Sequence, residues 1–227
     1  MSTQAVAAPV SRASLLEKDR RFFAVMAWTI GLMVVAAFAK AVIRNEFEPG
    51  ILLSPLTHAH AAVFLGWTAV FVAQPTLVVL GRTDLHRRLG KIGIALACAM
   101  PVLSIISTIR VFALGMQRFF FADPHVEVIV FAILAAPAFL YRRNTDLHAR
   151  LILLATISLI GAATAHLPFI GRLSRFAFLY VQDAFIVAAI VYDAIVRRRV
   201  HPAYWWGTLL IVVSQYLVST PPTQART

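Results

Sequence analysis

Seven long apolar runs, separated by short polar stretches, fill most of the chain. They reach from Phe22 to about Ile43, from His58 to Leu80, from the end of a basic stretch at Lys91 to Ala113, and from His125 to Tyr141. The remaining three run from a second basic stretch to Ile170, from Phe176 to Val196, and from Ala203 to Ser219. A helix needs about 20 mostly apolar residues to cross a bilayer core. The pattern therefore predicts an all-α, polytopic membrane protein with seven transmembrane helices. Residues 1–21 read as a cytoplasmic N-terminal tail, 22–219 as one membrane domain and 220–227 as a C-terminal tail. Arg44–Gly50, Gly115–Pro124 and Gly171–Arg175 read as loops, and Ile51–Thr57 as a segment at the membrane surface. Pro101 is expected to kink the third span.

One pattern recurs. Thr83-Asp84-Leu85-His86 returns as Thr145-Asp146-Leu147-His148, an offset of 62 residues. At that offset Ala73 matches Ala135, Pro75 matches Pro137, Arg88 matches Arg150 and Leu89 matches Leu151. Two crossings separate the copies, so the repeat is parallel. Its halves, about 58–113 and 125–170, predict a duplicated helix-pair core. Thr and Asp suit a helix N-cap, and Arg suits an orientation signal. Neither role accounts for a histidine at the same place, or for a proline eight residues before each Thr.

Composition supports the lipid reading: 60% of the 227 residues are hydrophobic and 14% charged. Soluble domains carry about a quarter charged residues. The net charge of +11 raises nucleic acid as a partner, but the basic residues lie in short clusters between apolar runs, not on one face. No nucleic-acid role is expected. The N-terminal tail and the hinges at 81–91, 142–150 and 197–199 hold fourteen of the 21 Lys and Arg. That bias places the N-terminus and hinges inside, the C-terminus outside, and the chain in a cell (inner) membrane. Residues 1–21 are polar and the first apolar run is long, so no cleaved signal peptide is expected. The single Cys98 excludes an internal disulfide and a cysteine metal site.

Topology sorts the seven histidines into layers. His58, His60, His125 and His166 fall near the outer surface, His86 and His148 at the inner ends of spans three and five, and His201 in the third hinge. Ionisable groups on membrane helices are functional suspects. Facing histidines in a bundle core are one way to hold haem or metal. The alternation out, in, out, in over four successive helices resembles the two-haem transmembrane cytochromes b. The hinges His86-Arg87-Arg88-Leu89-Gly90 and His148-Ala149-Arg150-Leu151 resemble those of an uncharacterised group of bacterial multi-pass membrane proteins. The resemblance covers roughly 58–170. It implies haem b ligated by His60 with His125 and by His86 with His148. Arg88 and Arg150, with Lys91, would meet inner propionates, and Arg118 with Arg172 outer ones. It also implies electron transfer with a redox partner or quinone-like small molecule besides the lipid bilayer, and is compatible with a homo-oligomer. With ligands at the helix ends, the layers would lie roughly 30–35 Å apart at about 1.5 Å per residue.

A second constellation is zinc held at the outer face by His60, His125, His166 and Asp183, three ligands and a water making a catalytic site. A third reading is a non-catalytic membrane subunit or small-molecule binder with structural histidines. His58 and His60, two residues apart, face opposite ways on a helix. Asp193 precedes Arg197 by four and is expected to pair with it. Glu127 joins His125 or reaches outward, and Gln74 is placed to bond carbonyls freed by Pro75. No phosphate loop, nucleophile elbow or His-Glu-x-x-His motif is present, and the last span lacks the lysine of a retinal Schiff base.

Overall fold

The computed structural model describes residues 12–43, 55–113, 123–165 and 177–219, with Leu167 and Ile170. Among the described residues the chain is all helical. The elements are α1 (Arg12–Ile43), α2 (Pro55–Val79), α3 (Thr83–Ala113), α4 (Asp123–Leu140), α5 (Thr145–Leu159), the short α6 (Gly161–Ala165), α7 (Ala177–Val196) and α8 (Pro202–Ser219). Four of them, α1, α2, α3 and α7, are long and apolar enough to cross a membrane, and α4 is a shorter apolar helix. The chain thus has the build of a membrane protein.

The predicted runs and the helices agree within a few residues at most ends, and the exceptions are physical. Helix α1 starts at Arg12, ten residues before the apolar run. Its first turns carry the Glu17–Arg21 pair, one helical turn apart. The first hinge is largely helical: α2 ends at Val79, Gly81 turns the chain with φ 72°, and α3 begins at Thr83. Glycine accepts that left-handed conformation without a side-chain clash. The fifth run is broken at Ile160, between α5 and α6. The loops expected at 44–50 and 171–175 lie outside the described residues, as do 115–122 of the loop expected at 115–124, whose Asp123 and Pro124 instead begin α4, and 51–54, Arg118, His166 and Arg172.

Helix α5 is the buried centre. From Arg150 to Leu159 every side chain except Ile152 is buried. Its polar residues spend their hydroxyls on their own helix, Thr156 donating to the Ile152 carbonyl and Ser158 to that of Ala155. Around it, α4 presents Val128, Phe131, Ala135 and Ala138, spaced three and four apart as one helical face requires. Helix α1 presents Ala27, Ile30, Val34 and Ala37 in the same way. The most extensive packing is within the antiparallel hairpins α2–α3 and α4–α5, which meet through α3 and α4. These hairpins are the two copies of the repeat. The outward faces carry exposed Val25, Leu32, Ile105, Ile109, Leu209 and Tyr216, which suits lipid as the surrounding solvent.

Candidate functional site: two histidine pairs and an arginine–aspartate lock

Each histidine of interest is placed by a hairpin. His86 stands in the first turn of α3 and points its Nδ1 at the backbone oxygen of Gln74 on α2, 3.4 Å away. His148 stands in the first turn of α5, and its Nδ1 donates to the Ala138 oxygen on α4 at 2.8 Å. Ala138 lies in the last turn of α4, where carbonyls lack helical partners, so His148 also caps that helix. The repeat therefore recurs as a contact, although the second acceptor is two residues beyond the one the offset of 62 would select. The two rings are near enough for their charges to interact.

The outer pair is built differently. His60, part-buried on α2, stacks on Phe64 at 4.4 Å. His125, near the start of α4, has its Nδ1 2.9 Å from the Ser104 hydroxyl of α3. His60 and His125 also lie within electrostatic range of each other. His58 is on the same helix as His60 but exposed, the divergence expected of residues two apart.

The layers are closer than helix-end ligands would make them. Because the hinge residues are helical, His86 sits beside Gln74 and not beyond the end of α2. Gln74 is 14 residues from His60, about 21 Å along a helix rising 1.5 Å per residue. On α4 the interval from His125 to Ala138 is 13 residues, about 20 Å. These replace the 30–35 Å expected from span length. Between the layers, Trp67 of α2 meets Phe131 of α4 edge-on with ring centres 5.0 Å apart.

Three buried polar atoms on α2 have no hydrogen-bond partner among the described residues: His60 Nδ1, Trp67 Nε1 and Gln74 Oε1. They are spaced by seven residues and so share one face of the helix. Gln74 does not cap the carbonyls around Pro75. Unpaired polar atoms away from water are costly, and in a native protein such atoms call for a bound partner.

The arginines diverge although the repeat makes them equivalents. Arg88 is exposed. Arg150 is wholly buried and grips Asp193 of α7 through both oxygens, Nε to Oδ2 at 2.9 Å and Nη2 to Oδ1 at 2.5 Å. The rings of Phe23 and Tyr204 flank it at 5.6 and 5.8 Å. Its charge is thus met by protein.

The expected local pair of Asp193 with Arg197 does not form. Arg197 instead binds both Asp19 of α1 and Asp146 of α5, its Nη1 3.0 Å from Asp146 Oδ2 and its Nε 3.0 Å from Asp19 Oδ2. Tyr192 donates to Asp19 as well, at 2.9 Å. Burial opposes the Arg197 charge, but the bonds to Asp146 and Asp19 outweigh it and raise the guanidinium above its ordinary range. Asp146 is therefore not the N-cap of α5. Asn144 is, its side chain accepting from the Leu147 N–H at 3.2 Å.

The described members of the outer metal set, His60, His125 and Asp183, are not grouped to hold a metal ion. Among the described residues no three His, Cys, Asp or Glu side chains are grouped to hold a metal ion. His166 lies outside them, and Asp183 accepts from Gln215 Nε2 at 3.1 Å. The same amide donates to Gln182, whose own amide reaches Glu127 Oε1 at 3.4 Å. This polar chain surrounds a small cavity of about 10 Å³, lined by Glu127, Ser158, Gln182, Ser214 and Gln215, with room for about one water. Gly161 seats the Glu127 carboxylate: a Cβ there would fall 1.9 Å from Oε1. Glu127, Gln182, Asp183 and Gln215 lie on three helices with no sequence motif, and of them only Glu127 and Asp183 stood out in the sequence.

No family model matches the chain, and neither a curated protein nor a solved structure does.

Proposed function

We propose that the chain is a haem-binding, cytochrome-b-like membrane protein of seven crossings, its basic hinges inside, that moves electrons between two layers. The observation that supports this best is the placing of four histidines at two levels about 21 Å apart along the helices, three of them with Nδ1 on an oxygen of a neighbouring helix. The donor set fits the group. Three of the four rings have Nδ1 placed on an oxygen, on Gln74, Ala138 or Ser104, which orients each ring and leaves Nε2 for iron. The fourth, His60, has a buried Nδ1 that needs a partner.

His60 with His125, and His86 with His148, would hold one haem each, and the iron supplies a one-electron couple when bound. The protein's part is to fix ring orientation through those oxygens and to keep water from both layers with the Trp67–Phe131 contact. Arg88, exposed at the hinge, would meet a carboxylate of the inner group, whereas Arg150 is committed to Asp193. A soluble carrier or quinone-like molecule would exchange electrons at either face.

The test is the visible spectrum of protein purified from haem-replete cells. A Soret band with α-band changes on reduction is expected, reduced by about half in His148→Ala and, separately, in His125→Ala, on the order of one haem per pair. A colourless preparation would overturn the proposal.

A further inference from the structure

Between α7 and α8, on the hinge face, lies a cavity of about 400 Å³ lined by Asp193, Arg197, Arg199, Val200, His201 and Pro202. Small-molecule sites run roughly 300–1,000 Å³. We propose that this cavity holds a phosphate-bearing anion, best matched by the phosphodiester of an anionic phospholipid.

Most charges around the cavity are already committed. Asp193 is taken by Arg150 and by the His201 backbone N–H, 3.1 Å from its Oδ2. Arg197 is taken by Asp19 and Asp146. Arg199 is exposed and makes no ion pair among the described residues. Arg198 beside it is exposed too, held at φ 57°, a left-handed turn that reverses the chain at the cavity's edge. His201 Nδ1 accepts from the Ala203 N–H at 3.1 Å, so the neutral ring carries its proton on Nε2 and offers a donor. Among the lining residues one guanidinium and one imidazole N–H thus remain for a ligand.

Charge selects the class. Arg150 and Arg197 bind three carboxylates, Asp19, Asp146 and Asp193, and the adjacent exposed Arg198 and Arg199 bring the balance of the group to a single positive charge. One phosphodiester closes that balance, and a dianion overshoots it. The setting selects the source. Ile195, Trp205 and Trp206 are exposed on the flanking turns of α7 and α8, where tryptophans mark the level of lipid headgroups. Basic pockets between membrane helices suit lipid phosphates.

Native mass spectrometry of the full chain in detergent tests this, with phosphatidylglycerol offered against phosphatidylcholine of the same acyl chains. Retention of phosphatidylglycerol is expected, lowered about fivefold in Arg199→Ala, more in Arg199→Glu, and unchanged in Arg87→Ala on another hinge. Inorganic phosphate is the second probe. If it binds alone and displaces the lipid in an Arg199-dependent way, the phosphate site stands with a soluble source. If it does neither while phosphatidylglycerol is retained, the source is lipid. Equal retention of both lipids with no binding of phosphate, or equal losses in Arg87→Ala and Arg199→Ala, would overturn the proposal. Each variant's melting curve separates loss of the site from loss of the fold.

Discussion

Replacing Asp193 by Asn removes one charge and turns one of the two oxygens that accept from Arg150 into an N–H donor. The amide oxygen can still accept from the His201 N–H, and the volume is unchanged. Arg150, without surface exposure, then keeps a buried charge whose remaining counter-charge is Asp146, 4.0 Å from Nη1 and shared with Arg197. Two unit charges about 4 Å apart attract by about 4 kcal/mol at an effective dielectric of 20. The Phe23 and Tyr204 rings and the Asp146 carbonyl, 3.0 Å from Nη1, return part of that loss. Breaking a buried pair from one side costs about 3–5 kcal/mol, two to three and a half orders of magnitude in the folding constant. The assay is reversible unfolding in mixed detergent micelles followed by far-UV circular dichroism. Arg150→Met with Asp193→Leu removes both charges and should recover most of the loss, since apolar replacements of buried pairs are often neutral. A cost for Asp193→Asn below about 1 kcal/mol, or a double variant no better than the single, would refute the reasoning.

Three further outcomes follow from particular contacts. Burial first, and then the Arg150 charge, hold the His201 imidazole below its ordinary pKa of 6.5, against the pull of Asp193 and Asp146. The folded state therefore favours the neutral ring. His201 contributes stability above pH 6.5 that is lost as pH falls below it, and His201→Asn should flatten the melting temperature between about pH 7.5 and 5. Gly161→Ala drives a Cβ into the Glu127 carboxylate, with the Gln182 amide 3.1 Å behind it, and should cost about 1–3 kcal/mol. Gly207→Ala meets only the end of the Leu154 side chain, at 2.6 Å, and should cost less; melting of the two variants compares them directly. Asn144→Ala deletes the cap of α5 and should lower stability by about 1 kcal/mol in the same assay.

The apolar runs were legible because lipid-facing helices carry their signal in every residue, so α2, α4, α7 and α8 end close to where hydrophobicity changes. Of the histidine layers the inner one was legible too, since the offset of 62 residues makes His86 and His148 equivalent positions. The spacing of the layers was not, because Thr83 to Lys91 looks like a polar loop while folding as the first turns of α3. The arginine partners were hidden for another reason. A carboxylate four residues before Arg197 is the natural local partner, yet Asp193 bonds an arginine 43 residues back, and nothing in the sequence distinguishes Arg150 from Arg88. The α5–α6 break at Ile160 has no proline to announce it, only Gly161 under the Glu127 carboxylate.

The grip of Arg197 on Asp19 joins residues 178 positions apart. A chain made from its N-terminus and laid into a membrane helix by helix would carry Asp19, and then Asp146, through most of its synthesis before their shared arginine exists. The first helix would be seated on α2 by Trp28 and Gly31 long before its end is fastened. Arg197 then acts as a completion mark, fixing the first helix to the α4–α5 hairpin only once the penultimate helix has arrived. A product cut short before it would keep the packed α2–α5 core and leave two carboxylates at the hinge face without the partner that closes them.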